Sequence, residues 1–137
     1  MSEELEGLER KRKQLQRQLA SVGDFHRGTV SASYRKCGKK NCACAKSTHR
    51  GHLRYQWTTT TKGNRSRARN LRLGAEMEKA TREAANYHEF LRLVGELVEV
   101  NEKICELRPV REINDEDEIE ALKKKQRKQF AAKLRKS

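Results

Sequence analysis

The sequence predicts an α+β fold: an N-terminal helix, a three-stranded antiparallel meander carrying a Cys3His zinc clip, a long helix, and a charged C-terminal helix or tail. Three observations predict it. Apolar residues recur at three- and four-residue spacing near the N-terminus and again over residues 75–108. Between these stretches the apolar residues switch to alternation with polar ones, the period of a half-buried strand. Inside that alternating stretch Cys37, Cys42, Cys44 and His52 form a Cys-x4-Cys-x-Cys-x7-His pattern. The chain divides accordingly into an amphipathic helix (1–22), a basic zinc-binding β module (23–74), a long two-striped helix (75–109) and a charged segment (110–137).

Leu5, Leu8, Leu15, Leu19 and Val22 trace one heptad-like stripe with Arg12 at its polar position, and Val22-Gly23-Asp24 breaks it. A stripe this narrow needs a partner helix, because an isolated helix of such length is marginal in water. Over residues 28–36, Val30, Ala32 and Tyr34 alternate with Thr29, Ser31 and Ser33, giving a first strand that runs into Cys37. Leu53, Tyr55 and Trp57 alternate with Arg54, Gln56 and Thr58 in a second strand. Thr60-Thr61-Lys62-Gly63-Asn64 is a turn signal, and Arg65 to Leu73 supplies a third strand. Arg65, Arg67 and Arg69 share parity with Leu71 and Leu73, so a straight strand puts charge and core on one face; a bulge near Asn70 is expected to separate them.

The long helix carries two adjacent stripes. Met77, Ala80, Ala84, Tyr87, Leu91, Val94 and Val98 form the first, continued by Asn101 and Cys105; Phe90, Leu93, Leu97, Val100, Ile104 and Leu107 form the second. One surface suits the N-terminal helix, and the other suits the sheet or a second copy of the chain as a homodimer. Asn101 stands at a seam position, where a polar residue fixes register, and Cys105 is expected in the core. Pro109 ends the helix. The final segment opens on Asn114-Asp115-Glu116-Asp117-Glu118 and closes on lysines and arginines. That order complements a helix dipole, with Asn114 as N-cap, but its apolar residues are too few to choose between a solvated helix and a disordered tail.

Three thiolates and one imidazole complete a tetrahedral Zn²⁺ shell with no position left for a reacting water, so the site reads as structural. Gly38-Lys39-Lys40-Asn41 suits the tight turn between the first two cysteines. His49 competes with His52 as fourth donor; His52 is favoured because it directly precedes the second strand, whose start would fix its ring. A disulfide or a redox role for Cys42-x-Cys44 is the alternative. No apolar leader opens the chain, where Met1 runs into Ser2-Glu3-Glu4, and the expectation is a cytoplasmic protein with reduced cysteines. No apolar run reaches membrane-spanning length.

The net charge of +13 is concentrated on the metal-binding segment: residues 23–74 hold thirteen basic groups and one acidic group, Asp24. A surface evolved for solubility mixes both signs, so this imbalance points to a phosphate backbone, DNA or RNA. Lys36, Lys39, Lys40 and Lys46 surround the metal turn, and Arg54, Arg65, Arg67 and Arg69 lie on the hairpin strands. These eight are the expected nucleic-acid contacts. Catalysis is not expected. His88-Glu89 lacks the second His of a helical His-Glu-x-x-His pair, no His-x-Glu precedes a Cys-x-x-Cys, and there is no Gly-rich phosphate loop.

Gly28-Thr29-Val30, the run Tyr34-Arg35-Lys36-Cys37-Gly38-Lys39-Lys40-Asn41-Cys42-Ala43-Cys44-Ala45, and Gly51-His52-Leu53-Arg54-Tyr55 resemble a family of small prokaryotic proteins encoded beside transposases. The family's pattern, Tyr-Arg-x-Cys-Gly-Lys-x-Asn-Cys-x-Cys-Ala followed by a His-Gly-Pro-Tyr run, covers residues 28 to about 105 here; Leu53-Arg54 replaces the usual Gly-Pro. The resemblance aligns the family's histidine with His52 and implies a mobile-element association, with a transposase or another larger protein as partner. A competing expectation makes the chain an interaction module that docks on a larger enzyme through Leu93, Leu97 and Val100.

Overall fold

The computed structural model of the chain describes residues 2–61 and 63–136. It divides into two compact units, Met1–Cys105 and Glu106–Ser137. The first holds helix α1 (Glu3–Ser21), strands β1 (Thr29–Arg35), β2 (His52–Thr61) and β3 (Arg65–Asn70), and nearly all of helix α2 (Ala75–Leu107); the second holds helix α3 (Glu116–Lys136).

α1 starts where Ser2 accepts a hydrogen bond from the Leu5 amide at 3.1 Å, and three glutamates in its first turn suit the positive end of the helix dipole. Its leucine stripe meets the second stripe of α2. Leu15, Leu93, Val100 and Ile104 form a buried core flanked by Leu5, Leu8, Leu19, Val22 and Leu97. The two seam positions that interrupt these stripes find each other, for Arg12 Nη1 donates to Asn101 Oδ1 at 3.2 Å. Arg12 lies beside Asn101, while Asp24, further along the chain, accepts on its carbonyl from Asn86 Nδ2. The helices therefore run antiparallel, although the whole sheet lies between them in the chain.

This packing corrects two sequence expectations. Leu93, Leu97 and Val100 are not a surface for a foreign partner, because α1 of the same chain covers them and Leu93 is only 1% exposed. Cys105 is exposed rather than part of the core. It follows Ile104, which occupies the α1-facing position, and one residue further turns the helix about 100° away.

The sheet is an antiparallel meander in the order β1-β2-β3. Its pairing is regular from Thr29↔Thr58 to Arg35↔His52 and from Gln56↔Asn70 to Thr61↔Arg65. Lys62, in the predicted turn, lies outside the described residues; Gly63 and Asn64, which follow it, both adopt positive φ. The expected bulge near Asn70 does not form. β3 ends at Asn70, the Leu71 amide still donates to the Tyr55 carbonyl at 2.8 Å, and the side chains part by burial instead: Leu71 is buried and Leu73 exposed.

Register assigns the two faces of the sheet. Val30, Ala32, Tyr34, Leu53, Tyr55, Trp57, Arg67 and Arg69 share one; Thr29, Ser31, Ser33, Arg35, His52, Arg54, Gln56, Thr58 and Asn70 share the other. The second face contains neither a carboxylate nor a large apolar residue. β1 is less buried than its alternation suggested, with only Val30 withdrawn from solvent. Segment 23–28 ties the sheet to α2: the His26 amide donates to the Glu83 carbonyl, Phe25 stacks on Phe90 at 4.7 Å, and the His26 ring meets the Trp57 ring edge-on at 4.7 Å. Gly28 is required there, since a Cβ at this residue would lie 2.2 Å from Trp57 Nε1.

α3 is a helix, which decides between the two forms expected of the last segment. Asp115, not Asn114, caps it by accepting from the Asp117 amide at 3.0 Å. None of its residues is buried, and Phe130 and Leu134 are exposed. Acid in the first turn and base in the last stabilise such a helix without a core.

Candidate metal centre and basic surface

The backbone brings the metal donors together before any ion is considered. The β1–β2 ladder pairs Arg35 with His52, so the loop 36–51 leaves and re-enters the sheet at one end of the same two strands. Cys37 lies two residues beyond the end of β1, Cys42 and Cys44 belong to a single 3-10 turn around Ala43–Ala45, and His52 is the first residue of β2. Gly51 makes the return possible. Its φ is 103°, and a Cβ there would stand 2.5 Å from the Arg35 carbonyl carbon. The loop is also held from within, by Lys36 Nζ donating to the Lys46 carbonyl at 3.0 Å and the Cys42 amide to the Lys39 carbonyl at 3.3 Å.

The three Sγ atoms and a ring nitrogen of His52 all lie within 4.8 Å of one another. Cys37 Sγ and Cys44 Sγ are 3.5 Å apart, and Cys42 Sγ is 3.2 Å from His52 Nε2. Sulfurs sharing a tetrahedral ion at the usual metal–sulfur length sit about 3.8 Å apart, so the group fits such an ion with minor adjustment. The expected set Cys37, Cys42, Cys44 and His52 is thus brought together. His49 stands outside it, its Nδ1 accepting the Gly51 amide at 2.9 Å and its ring centre 6.3 Å from that of His52. None of the four cysteines is in a disulfide.

Neighbouring dipoles prime the donors. The Cys42 thiol is lowered to about 6, first by the Cys44 amide and then by Cys44 Sγ and His52. Cys37 is lowered as well, chiefly by the Lys39 amide. The buried Cys44 also receives an amide, that of Cys37, at 3.4 Å, but desolvation and the adjacent thiols outweigh it and push its thiol up. His52 is raised, mainly by its hydrogen bond to Cys42. The hydrogen bond between Cys42 and His52 thus favours negative charge on the sulfur and positive charge on the ring, and protons held by the donors must leave as a cation binds.

The expected nucleic-acid contacts do not form one patch. Lys39, Lys40 and Lys46 lie on the metal loop, and Lys36 is engaged in stapling it. Arg65 lies at the opposite end of β2, nine residues away, or about 30 Å along an extended strand. Arg54 is on the polar face, where its Nη2 donates to Asn70 Oδ1 at 2.8 Å; Arg67 and Arg69 are on the other face, and Arg69 lies 5.4 Å over the Trp57 ring. Sequence reasoning did not single out three further cations. Arg35 lines, with Lys36, Arg54, Cys37, Gly38 and His52, a hollow of about 510 Å³ beside the metal donors. Arg50 lies 5.7 Å over the Tyr34 ring. Arg27 belongs to a separate cleft described below. Nothing in the spacing of these residues marks them; only the fold gathers them.

An α+β chain with a Cys3His cluster at the open end of a basic hairpin is thus the class defined by fold and site. The chain belongs to the family described as a domain of unknown function (DUF6788), whose model matches residues 5–79, more than half of its length. That span includes all but the first two residues of α1, the whole sheet and the metal loop. Comparisons with curated proteins and with solved structures gave no match. No helix among the described residues is long and apolar enough to cross a membrane.

Proposed function

We propose that this chain is a non-enzymatic, zinc-stabilised nucleic-acid-binding protein that acts as accessory to a transposase or a similar nucleoprotein complex. The observation that carries the reading is the hollow in which Arg35, Lys36 and Arg54 converge on the same end of the hairpin as the four metal donors. A metal held there fixes the loop, and the loop fixes the cations. Zinc is the ion that best suits three thiolates and an imidazole, and four protein donors close its shell, which favours a structural over a catalytic role. The excess of twelve positive charges on residues 23–74 gives this surface the potential that attracts a polyphosphate. The transposase association rests on the resemblance of the cysteine block alone.

The test is equilibrium binding of labelled single- and double-stranded oligonucleotides to the full chain and to the double variant Arg35→Ala/Arg54→Ala. Two lost phosphate contacts should weaken binding by about tenfold at low salt and shallow the salt dependence. Unchanged affinity for every oligonucleotide would remove this surface from nucleic-acid recognition.

A further inference from the structure

At the far end of the sheet from the metal loop, β2 and β3 meet α2 around a cleft of about 490 Å³. Arg27, Arg67 and His88 line it, together with Tyr87 and the hydroxyl residues Thr29, Thr58, Thr60 and Ser66; among the described residues no carboxylate does. The Tyr87 and His88 ring centres are 5.6 Å apart. Thr59, also in its wall, has an Oγ1 that is buried without a hydrogen-bond partner. Two guanidinium groups, with no carboxylate among the described lining residues, suit phosphate, aromatic rings suit a base, and a row of hydroxyls suits sugar and base edges.

We propose that this cleft seats one nucleotide unit of a single polynucleotide strand, whose backbone runs along the polar face of the sheet toward the metal end. The proposal rests on the nucleic-acid reading above and narrows it to single strands. Thr29, Thr58, Thr60 and Ser66 belong by register to the same face as Arg35, Arg54 and His52, and between the two hollows that face offers only Ser31, Ser33, Gln56 and Asn70. The track is continuous, hydrogen-bonding and acid-free. A duplex keeps its bases stacked, so only an unpaired strand inserts one into a cleft without the cost of unstacking.

The full chain is titrated with labelled oligothymidylate, oligouridylate and a DNA duplex of equal length, beside the variant Arg27→Ala/His88→Ala, whose two positions are exposed and outside the core. Single strands should bind more tightly than duplex, and the variant should lose about tenfold for single strands, the worth of one stacked and phosphate-held unit, with little change for duplex. Trp57, the sole tryptophan, packs against Gly28 of the cleft wall, so its fluorescence should change with single strands and not in the variant. A preference between the thymidylate and uridylate arms names the polymer. Retained binding that is indifferent to strandedness and to the variant overturns the cleft assignment and leaves the broader reading standing; no binding to any of the three probes overturns both.

Discussion

At the scale of single residues, the four metal donors were readable because their chemistry is concentrated: three cysteines within eight positions have few uses in one short loop. The choice between His49 and His52 was not, since both lie close in sequence. It is settled by where the chain re-enters the sheet and by the bond that His49 Nδ1 makes to the Gly51 amide. His52→Ala should therefore lower metal affinity more than about 100-fold, beyond the usual effect of losing an outer partner, whereas His49→Ala should retain the ion; metal analysis of the purified variants checks both. Gly51→Ala, forced into Arg35 at positive φ, should cost about 1–3 kcal/mol and loosen the loop, measured by denaturant unfolding. Protons compete with the metal for every donor. With Cys44 and His52 raised, affinity should already fall as pH drops through neutrality, and it should fall more steeply below about 6, where Cys42 also takes up a proton; a chromophoric chelator follows the competition.

Among the elements, the helices were the most visible because burial along them is periodic. The stripes of α1 and α2 each carried one polar interruption, Arg12 and Asn101, and either could have been read as a local defect; their pairing at 3.2 Å makes them a register device. Asn101→Leu should destabilise the helix pair by about 1 kcal/mol, because it strands a half-buried guanidinium, and Arg12→Leu in the same chain should recover most of that loss; thermal melts of the two variants give the comparison. Leu93→Ala should cost about 2–5 kcal/mol at the centre of the same core. The end of β3 was not readable. Period-2 parity runs on through Leu71 and Leu73 whether or not the strand does, and only pairing and burial show that it stops at Asn70. α3 was equally hard to foresee, because a helix with no buried residue leaves no periodic signal.

Across the whole molecule, charge and fold divide the labour. A thin core lies between α1 and α2, the sheet is largely open to solvent, and the sheet together with its loops carries most of the positive excess. The sequence announced that excess but not its layout, because residues that converge on a hollow, such as Arg35 with Arg54 or Arg27 with His88, are far apart in the chain. A bound ion at one end is what holds the cationic loop in a defined shape in this account, so metal and polyanion binding should be coupled. The most direct test is the affinity of the full chain for an oligonucleotide across a salt series, measured before and after removal of metal by a chelator. The account predicts a steep fall in affinity with rising salt and a loss of about tenfold or more on chelation, restored by added zinc. Affinity that ignores salt, or that survives complete removal of the metal unchanged, would contradict it.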